Sequence, residues 1–327
     1  MTHVPADDRT LPQAFLSDGR PPLCALALGL LTSGAAALFL AATGHFLPHD
    51  ERFLGMTSEQ LCGYHGCRVV HFMVHDRASF GGVVLAIGLF YLWLTEFPLR
   101  ARLAWAWWAL LLSGAVGFAS FLAYIGYGYL DAWHGAATLA LLPCYALGLV
   151  RSWPTLVQPR GIDSILAPGD RPVWRSAHGI GRACLIVAAL GVTGAGMTIL
   201  AIGMTAVFVP TDLEFMGVGV SELHELNPRL VPLIAHDRAG FGGALFSVGV
   251  ALTACVWCGR PSPSLWQVLA LAGIAGFTPA IGVHFAIGYT DWFHLAPAVS
   301  GAVLYLVGLA LTYRPMCNPR PTGRGED

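Results

Sequence analysis

Polar residues thin out in eight places along this chain. Apolar runs occupy about 23–43, 75–95, 104–125, 131–150, 183–207, 236–257, 265–287 and 292–312. Each is close to the roughly 20 residues that an α-helix needs to cross a hydrocarbon layer. In lipid such a run has to be helical, because every backbone group must bond within its own segment. The pattern predicts an all-α, polytopic integral membrane protein with eight transmembrane helices. A polar, acid-containing stretch precedes the first run, which is longer than the apolar core of a signal peptide, so it reads as a retained first helix.

The polar positions between the runs repeat. "VHDRASFGG" at 74–82 and "AHDRAGFGG" at 235–243 agree at seven of nine positions, 161 residues apart. "FLPHDERFLG" at 46–55 resembles "FVPTDLEFMG" at 208–217, "GYLDAWH" at 128–134 resembles "GYTDWFH" at 288–294, and Gly117-Phe118 matches Gly276-Phe277. The period includes four helices, an even number, so the halves should be parallel repeats related by an axis along the membrane normal. The expected organisation is an N-terminal tail 1–22, a first four-helix half 23–150, a linker 151–182, a second half 183–313 and a tail 314–327. The Pro- and Arg-rich linker reads as a polar connection. The long segments 44–74 and 208–235 are where a cap over an outer site could form.

Composition agrees. The chain is 55% hydrophobic and 11% charged, against about 25% charged in soluble domains. Its partner is therefore a lipid bilayer. The net charge of −1 supplies no basic field, which excludes nucleic acid as an expected partner. With a cytoplasmic N-terminus, 13 Arg fall on inner segments and 5 on outer ones. The positive-inside rule then puts both termini in the cytoplasm of a multi-pass cell (inner) membrane protein. Cys62 and Cys67 lie on the outer, oxidising side and are read as a disulfide, with two free thiols as the alternative. Cys255 and Cys258 form a lone CxxC at an inner helix end and read as packing.

Candidate chemistry sits at one depth. His75, His134, His236 and His294 begin the second, fourth, sixth and eighth runs, at the outer edge of the hydrocarbon. Asp76, Arg77, Asp131, Asp237, Arg238 and Asp291 lie beside them. Ionisable groups at this depth are costly unless paired, and mark a functional hypothesis. One reading makes the Asp residues N-caps, lets the Arg residues snorkel, and uses Gly81, Gly82, Gly242 and Gly243 for close helix approach. This gives a non-catalytic scaffold or assembly protein with structural polar rims. Capping alone, however, does not ask for His on four helices. Two facing imidazoles can ligate a haem iron axially. On that reading His75 pairs with His134 and His236 with His294, the Asp residues orient the second ring nitrogens, Arg77 and Arg238 meet propionates, and the glycines leave room for a porphyrin face.

In layout the chain resembles heme A synthase. That family also has eight helices in two four-helix halves and ligand His on helices two, four, six and eight, matched here by His75, His134, His236 and His294. Many of its members carry a Cys pair in the first outer loop, matched by Cys62 and Cys67. The resemblance implies a haem-binding membrane redox protein holding haem b, with a quinone or a membrane redox protein as partner. Two other readings stay open. One is a transporter, although its site belongs near the midplane. The other is a metal-binding bundle using His75, Asp131 and His134 as a ligand set.

Overall fold

In the computed structural model, residues 10–120, 122, 126–129, 132–171 and 173–318 are described, and all their regular structure is helical. Eight helices carry the architecture: α1 (Arg20–Thr43), α2 (Arg68–Leu94), α3 (Ala104–Ser120), α4 (Ala132–Ser152), α5 (Ala177–Met204), α6 (Leu230–Cys258), α7 (Pro263–Ile287) and α8 (Trp292–Cys317). Seven of them are long and apolar enough to cross a membrane; α3 is the shorter one, with 17 described residues.

The helices are not equivalent. About three-quarters of the apolar window is buried in α2 (78%) and α6 (72%), against 17–28% in the other five candidate spans. The repeated helices α2 and α6 thus form the centre, and the others turn large apolar side chains such as Leu28, Phe39, Leu139 and Leu306 outward. Outward Leu and Phe suit lipid, while the interfaces within such a bundle favour small residues.

The Phe-Gly-Gly signature explains how the centre is wrapped. A Cβ added to Gly81 would stand 2.9 Å from the backbone nitrogen of Leu38 on α1, and one on Gly242 would stand 2.2 Å from that of Leu200 on α5. The first glycine of each pair therefore seats the first helix of its own half. The second glycine does the opposite. A Cβ on Gly82 would meet the Ala275 carbonyl of α7 at 2.5 Å, and one on Gly243 would meet the Ser120 Cβ of α3 at 2.2 Å. The third helix of each half accordingly packs on the central helix of the other, with α7 on α2 and α3 on α6. These glycines admit neighbouring helices, which corrects the expectation that they clear space for a porphyrin face.

Third and fourth helices pair as hairpins in matching fashion. Trp107 Nε1 donates to Leu149 O and Trp266 Nε1 to Leu309 O, both at 2.9 Å. Tyr145 donates to Leu111 O and Tyr305 to Leu269 O, both at 2.7 Å.

The central helices begin earlier than their apolar runs predict, at Arg68 rather than 75 and at Leu230 rather than 236. Their first two turns are largely apolar and are covered by protein, with Val69, Val70, Phe72 and Met73 of α2 and Leu230, Leu233 and Ile234 of α6 buried. The cover is a second hydrophobic cluster built by the two long loops: Phe46, Leu54 and Leu61 from one, Phe208, Met216 and Leu223 from the other. The loops also bond across, Asn227 Nδ2 to Leu54 O at 2.8 Å and Arg229 Nη1 to Phe53 O at 2.6 Å. Cys62 and Cys67 stand at disulfide distance in the first loop. Cys255 and Cys258 are buried free thiols at the far end of α6, consistent with packing. The linker packs back on the bundle: Gly169 N donates to Trp257 O at 3.0 Å, and Arg182 ties Asp170 to the carbonyls of Val256 and Trp257.

Two outcomes test this packing. Gly242→Ala drives a methyl into the α5 backbone and should cost about 1–3 kcal/mol, the usual range for overpacking. Gly191→Ala on α5 enters open space and should leave thermal unfolding in detergent nearly unchanged. In the unreduced protein, reduction should produce a two-hydrogen mass gain and two new alkylation sites, mapping to Cys62 and Cys67.

Candidate functional site

The repeated His-Asp-Arg triplets lie two turns inside α2 and α6, face each other, and exchange partners. Arg77 Nε donates to Asp237 Oδ2 at 2.9 Å, and Arg238 Nε donates to Asp76 Oδ2 at 3.2 Å. Each guanidinium also holds an Asp of its own half from the loop helix above it. Arg77 Nη2 meets Asp50 Oδ2 at 2.9 Å, and Arg238 Nη1 bonds Asp212 Oδ2. Those two Asp residues accept from the backbone at the start of their own short helices, from Leu47 N at 3.2 Å and Val209 N at 2.8 Å. Each also accepts a tyrosine hydroxyl, Asp50 from Tyr129 and Asp212 from Tyr289. Four carboxylates and two guanidiniums thus form one buried layer. In ionised form the layer carries two negative charges more than its arginines neutralise, and burial of a charge demands compensation nearby.

The histidines stand where that excess lies. His75 Nδ1 is 2.9 Å from Asp76 Oδ1 and His236 Nδ1 is 3.1 Å from Asp237 Oδ1. This is the carboxylate-oriented imidazole that the sequence reading expects of Asp76 and Asp237, and it comes from mid-helix residues, not from N-caps. Asp291 differs. Its Oδ1 accepts from the backbone nitrogen of His294 at 2.8 Å, so it caps α8, and the His294 ring is held instead by Tyr289 Oη, 3.0 Å from Nδ1. Asp131 lies outside the described residues. Arg77 and Arg238 hold carboxylates, and do not snorkel.

The histidine pairs form across the halves. The ring centroids of His75 and His294 are 5.7 Å apart, and those of His134 and His236 are 5.8 Å apart. The expected pairs, His75 with His134 and His236 with His294, are therefore corrected, as is the metal set built on His75 and His134. The reason is the packing described above: each central helix turns its triplet toward the other half.

The two clusters then diverge. Around His236 and His134 stand Tyr129, with ring centroids 4.9 Å from His236, and Phe80, 5.5 Å from His134. A cavity of about 650 Å³ opens beside them. Its polar end is formed by Asp50, Asp76, Arg77, His134, His236 and Asp237, and its apolar walls include Leu30, Phe80, Phe118 and Leu141. Arg77, which lines it, has a buried Nη1 with no hydrogen-bond partner among the described residues. Around His75 the space is filled by a third imidazole. His284 Nε2 is 3.1 Å from His75 Nε2, and the His284 ring is 5.3 Å from that of His294.

His284, Asp50, Asp212, Tyr129 and Tyr289 are not among the residues expected from sequence. The last four sit at matching positions of the repeated segments, so the repeat itself held their signal. His284 has no such signal, because the corresponding stretch of the first half, 115–127, contains no His. Comparison with known protein families, with curated proteins and with solved structures returns no match for this chain.

Truncating Arg238 leaves Asp76 and Asp212 buried without their cation. Arg238→Ala should therefore destabilise the detergent-solubilised protein by about 3–5 kcal/mol, as loss of one partner of a buried ion pair does. Removing the exposed Arg100, which is 69% accessible beside Glu96, should shift thermal unfolding little, since exposed pairs contribute about 0–1 kcal/mol.

Proposed function

We propose that this is a multi-pass cell-membrane protein of eight transmembrane helices in two parallel repeats, and that it binds haem b in the cavity beside His134 and His236. The observation that carries the reading is the placement of these two imidazoles, ring centroids 5.8 Å apart, at the polar end of a 650 Å³ cavity. Two imidazoles from different helices are a donor set that a haem iron takes, and Arg77 beside them suits an anionic ligand edge. The cavity volume falls in the usual range of about 300–1,000 Å³ for ligand sites. The resemblance in layout to heme A synthase points to the same cofactor, here through a pair formed across the halves. The excess of Arg on one set of loops supports cytoplasmic termini, with this site toward the outer face.

When bound, haem supplies one-electron chemistry through its iron. The chain's own residues set the conditions. His134 and His236 would hold the iron, and Asp237 keeps His236 turned by accepting from Nδ1. Arg77 offers Nη1 to an acceptor oxygen at the ligand's edge. The loop cluster of Phe46, Leu54, Phe208 and Met216 shields the layer from water. A quinone or a membrane redox protein is the expected electron partner. The apolar walls would also accept a quinone ring, which extraction and mass spectrometry of the purified protein would reveal.

Protein purified from haem-replete cells should show a Soret band, and separate α and β bands on reduction. His134→Ala and His236→Ala should each abolish these, whereas His294→Ala should leave them. Asp237→Asn should weaken haem retention about 10- to 100-fold, the usual cost of losing a carboxylate that orients a ligand imidazole. A folded, colourless wild-type protein would overturn the reading.

A further inference from the structure

We propose that His75, His284 and His294 form a binding site for a single late first-row divalent metal ion of the zinc or copper class, separate from the cavity site. The three rings come from α2, α7 and α8, and one nitrogen from each lies within 4.8 Å of the others. His75 and His284 are buried, each 4% exposed. A tetrahedral ion with bonds of about 2.0–2.1 Å separates its ligand nitrogens by roughly 3.3 Å, so small ring rotations close the triad onto one ion.

The surrounding bonds select which nitrogen each ring presents. Nδ1 of His75 is held by Asp76 Oδ1 at 2.9 Å, Nδ1 of His284 by the Ala280 carbonyl at 2.7 Å, and Nδ1 of His294 by Tyr289 Oη at 3.0 Å. Nε2 is the nitrogen each ring has left. An outer partner on the second ring nitrogen is the usual arrangement of metal-ligating histidines, and a carboxylate in that place raises ligand basicity.

A hydrogen count points the same way. Asp76 and the Ala280 carbonyl are acceptors at the two ends of a chain running through His75 and His284, whose Nε2 atoms meet at 3.1 Å. Filling that chain takes three hydrogens: one toward each acceptor and one between the Nε2 atoms. Two neutral imidazoles carry only two. The site therefore takes one extra positive charge between the Nε2 atoms, which either a proton or an ion shared with His294 supplies. The neighbouring layer supplies negative charge to balance it.

The donor set narrows the ion. Three neutral imidazoles without a thiolate suit zinc, copper, nickel or iron, and not calcium or magnesium. Three protein ligands leave a fourth position for water or substrate, as in catalytic zinc centres. A haem does not fit here, because the His284 ring fills the space beside His75, its Nε2 3.1 Å from that of His75, and leaves no room for a macrocycle.

The test uses the full chain with a non-histidine affinity tag, purified in detergent and stripped with a chelator. Titration with Zn²⁺ alone should give one bound equivalent that survives gel filtration, and Co²⁺ should give the visible bands of a tetrahedral site. His284→Gln and His294→Gln should each lose this uptake while keeping helical circular dichroism, and His134→Ala should retain it. Substoichiometric uptake by the wild type, or uptake unchanged in both Gln variants, would overturn the proposal. If the variants misfold, X-ray absorption of the zinc-loaded wild type decides. About three imidazole nitrogens near 2.0 Å support the site, and sulfur ligation refutes it.

Discussion

Two guanidiniums exchanged between two helices govern this fold. Arg77 and Arg238 are too costly to bury without carboxylates, and each takes one from the facing central helix and one from its own loop helix. That requirement fixes how closely α2 and α6 approach, their relative height, and how the two loops seat above them. Buried ion pairs are weak evidence for net stability, and their best-attested use is to specify a unique register. A duplicated bundle needs such a device, because two similar halves offer several near-equivalent packings. Reciprocal Arg–Asp pairing, together with the Gly-Gly steps that admit one helix from each half, selects the crossed arrangement.

The crossed arrangement explains why two copies of one motif end in different surroundings. The layer is symmetric down to its tyrosines, Tyr129 on Asp50 and Tyr289 on Asp212. Among the described residues two differences break the symmetry: His49 beside Asp50 is replaced by Thr211 beside Asp212, and α7 carries an imidazole beside His75. His284 fills the space beside His75, and on the opposite side a cavity remains beside His236. The two repeats thus differ in their surroundings, a compact three-imidazole cluster at one and a cavity bordered by two imidazoles at the other. Both adjoin the same carboxylate-rich layer, through Asp76 at one and Asp237 at the other.

Much of this was legible in the chain. Apolar length located the eight helices, seven of which are long and apolar enough to cross a membrane. The triplets at 75–77 and 236–238 were legible because the sequence states them twice. Helix starts were less so: the first turns of α2 and α6 are mostly apolar, but Arg68, His71 and Pro232 interrupt them, and they pack in one cluster with Phe46 and Phe208 from the loops. The partners of His75 were illegible, because proximity along the chain suggests a neighbour in the same half, whereas the Gly82 and Gly243 contacts deliver the third helix of the other half. His284 could be found only in three dimensions. Asp291 looked equivalent to Asp76 by composition, but a carboxylate at the first turn of a helix finds free backbone amides, and one two turns inside finds a side chain.

The central claim is that the halves are locked by exchange, and double-mutant cycles on unfolding free energy test it most directly. Asp76/Arg238 and Arg77/Asp237 should each show coupling within the range of about 0.5–3 kcal/mol that contacting residues display. Asp76/Arg77, adjacent in sequence but not bonded to each other, should be close to additive. Strong coupling within the triplet, with additivity across the two helices, would contradict the exchange and the cross-half sites that depend on it.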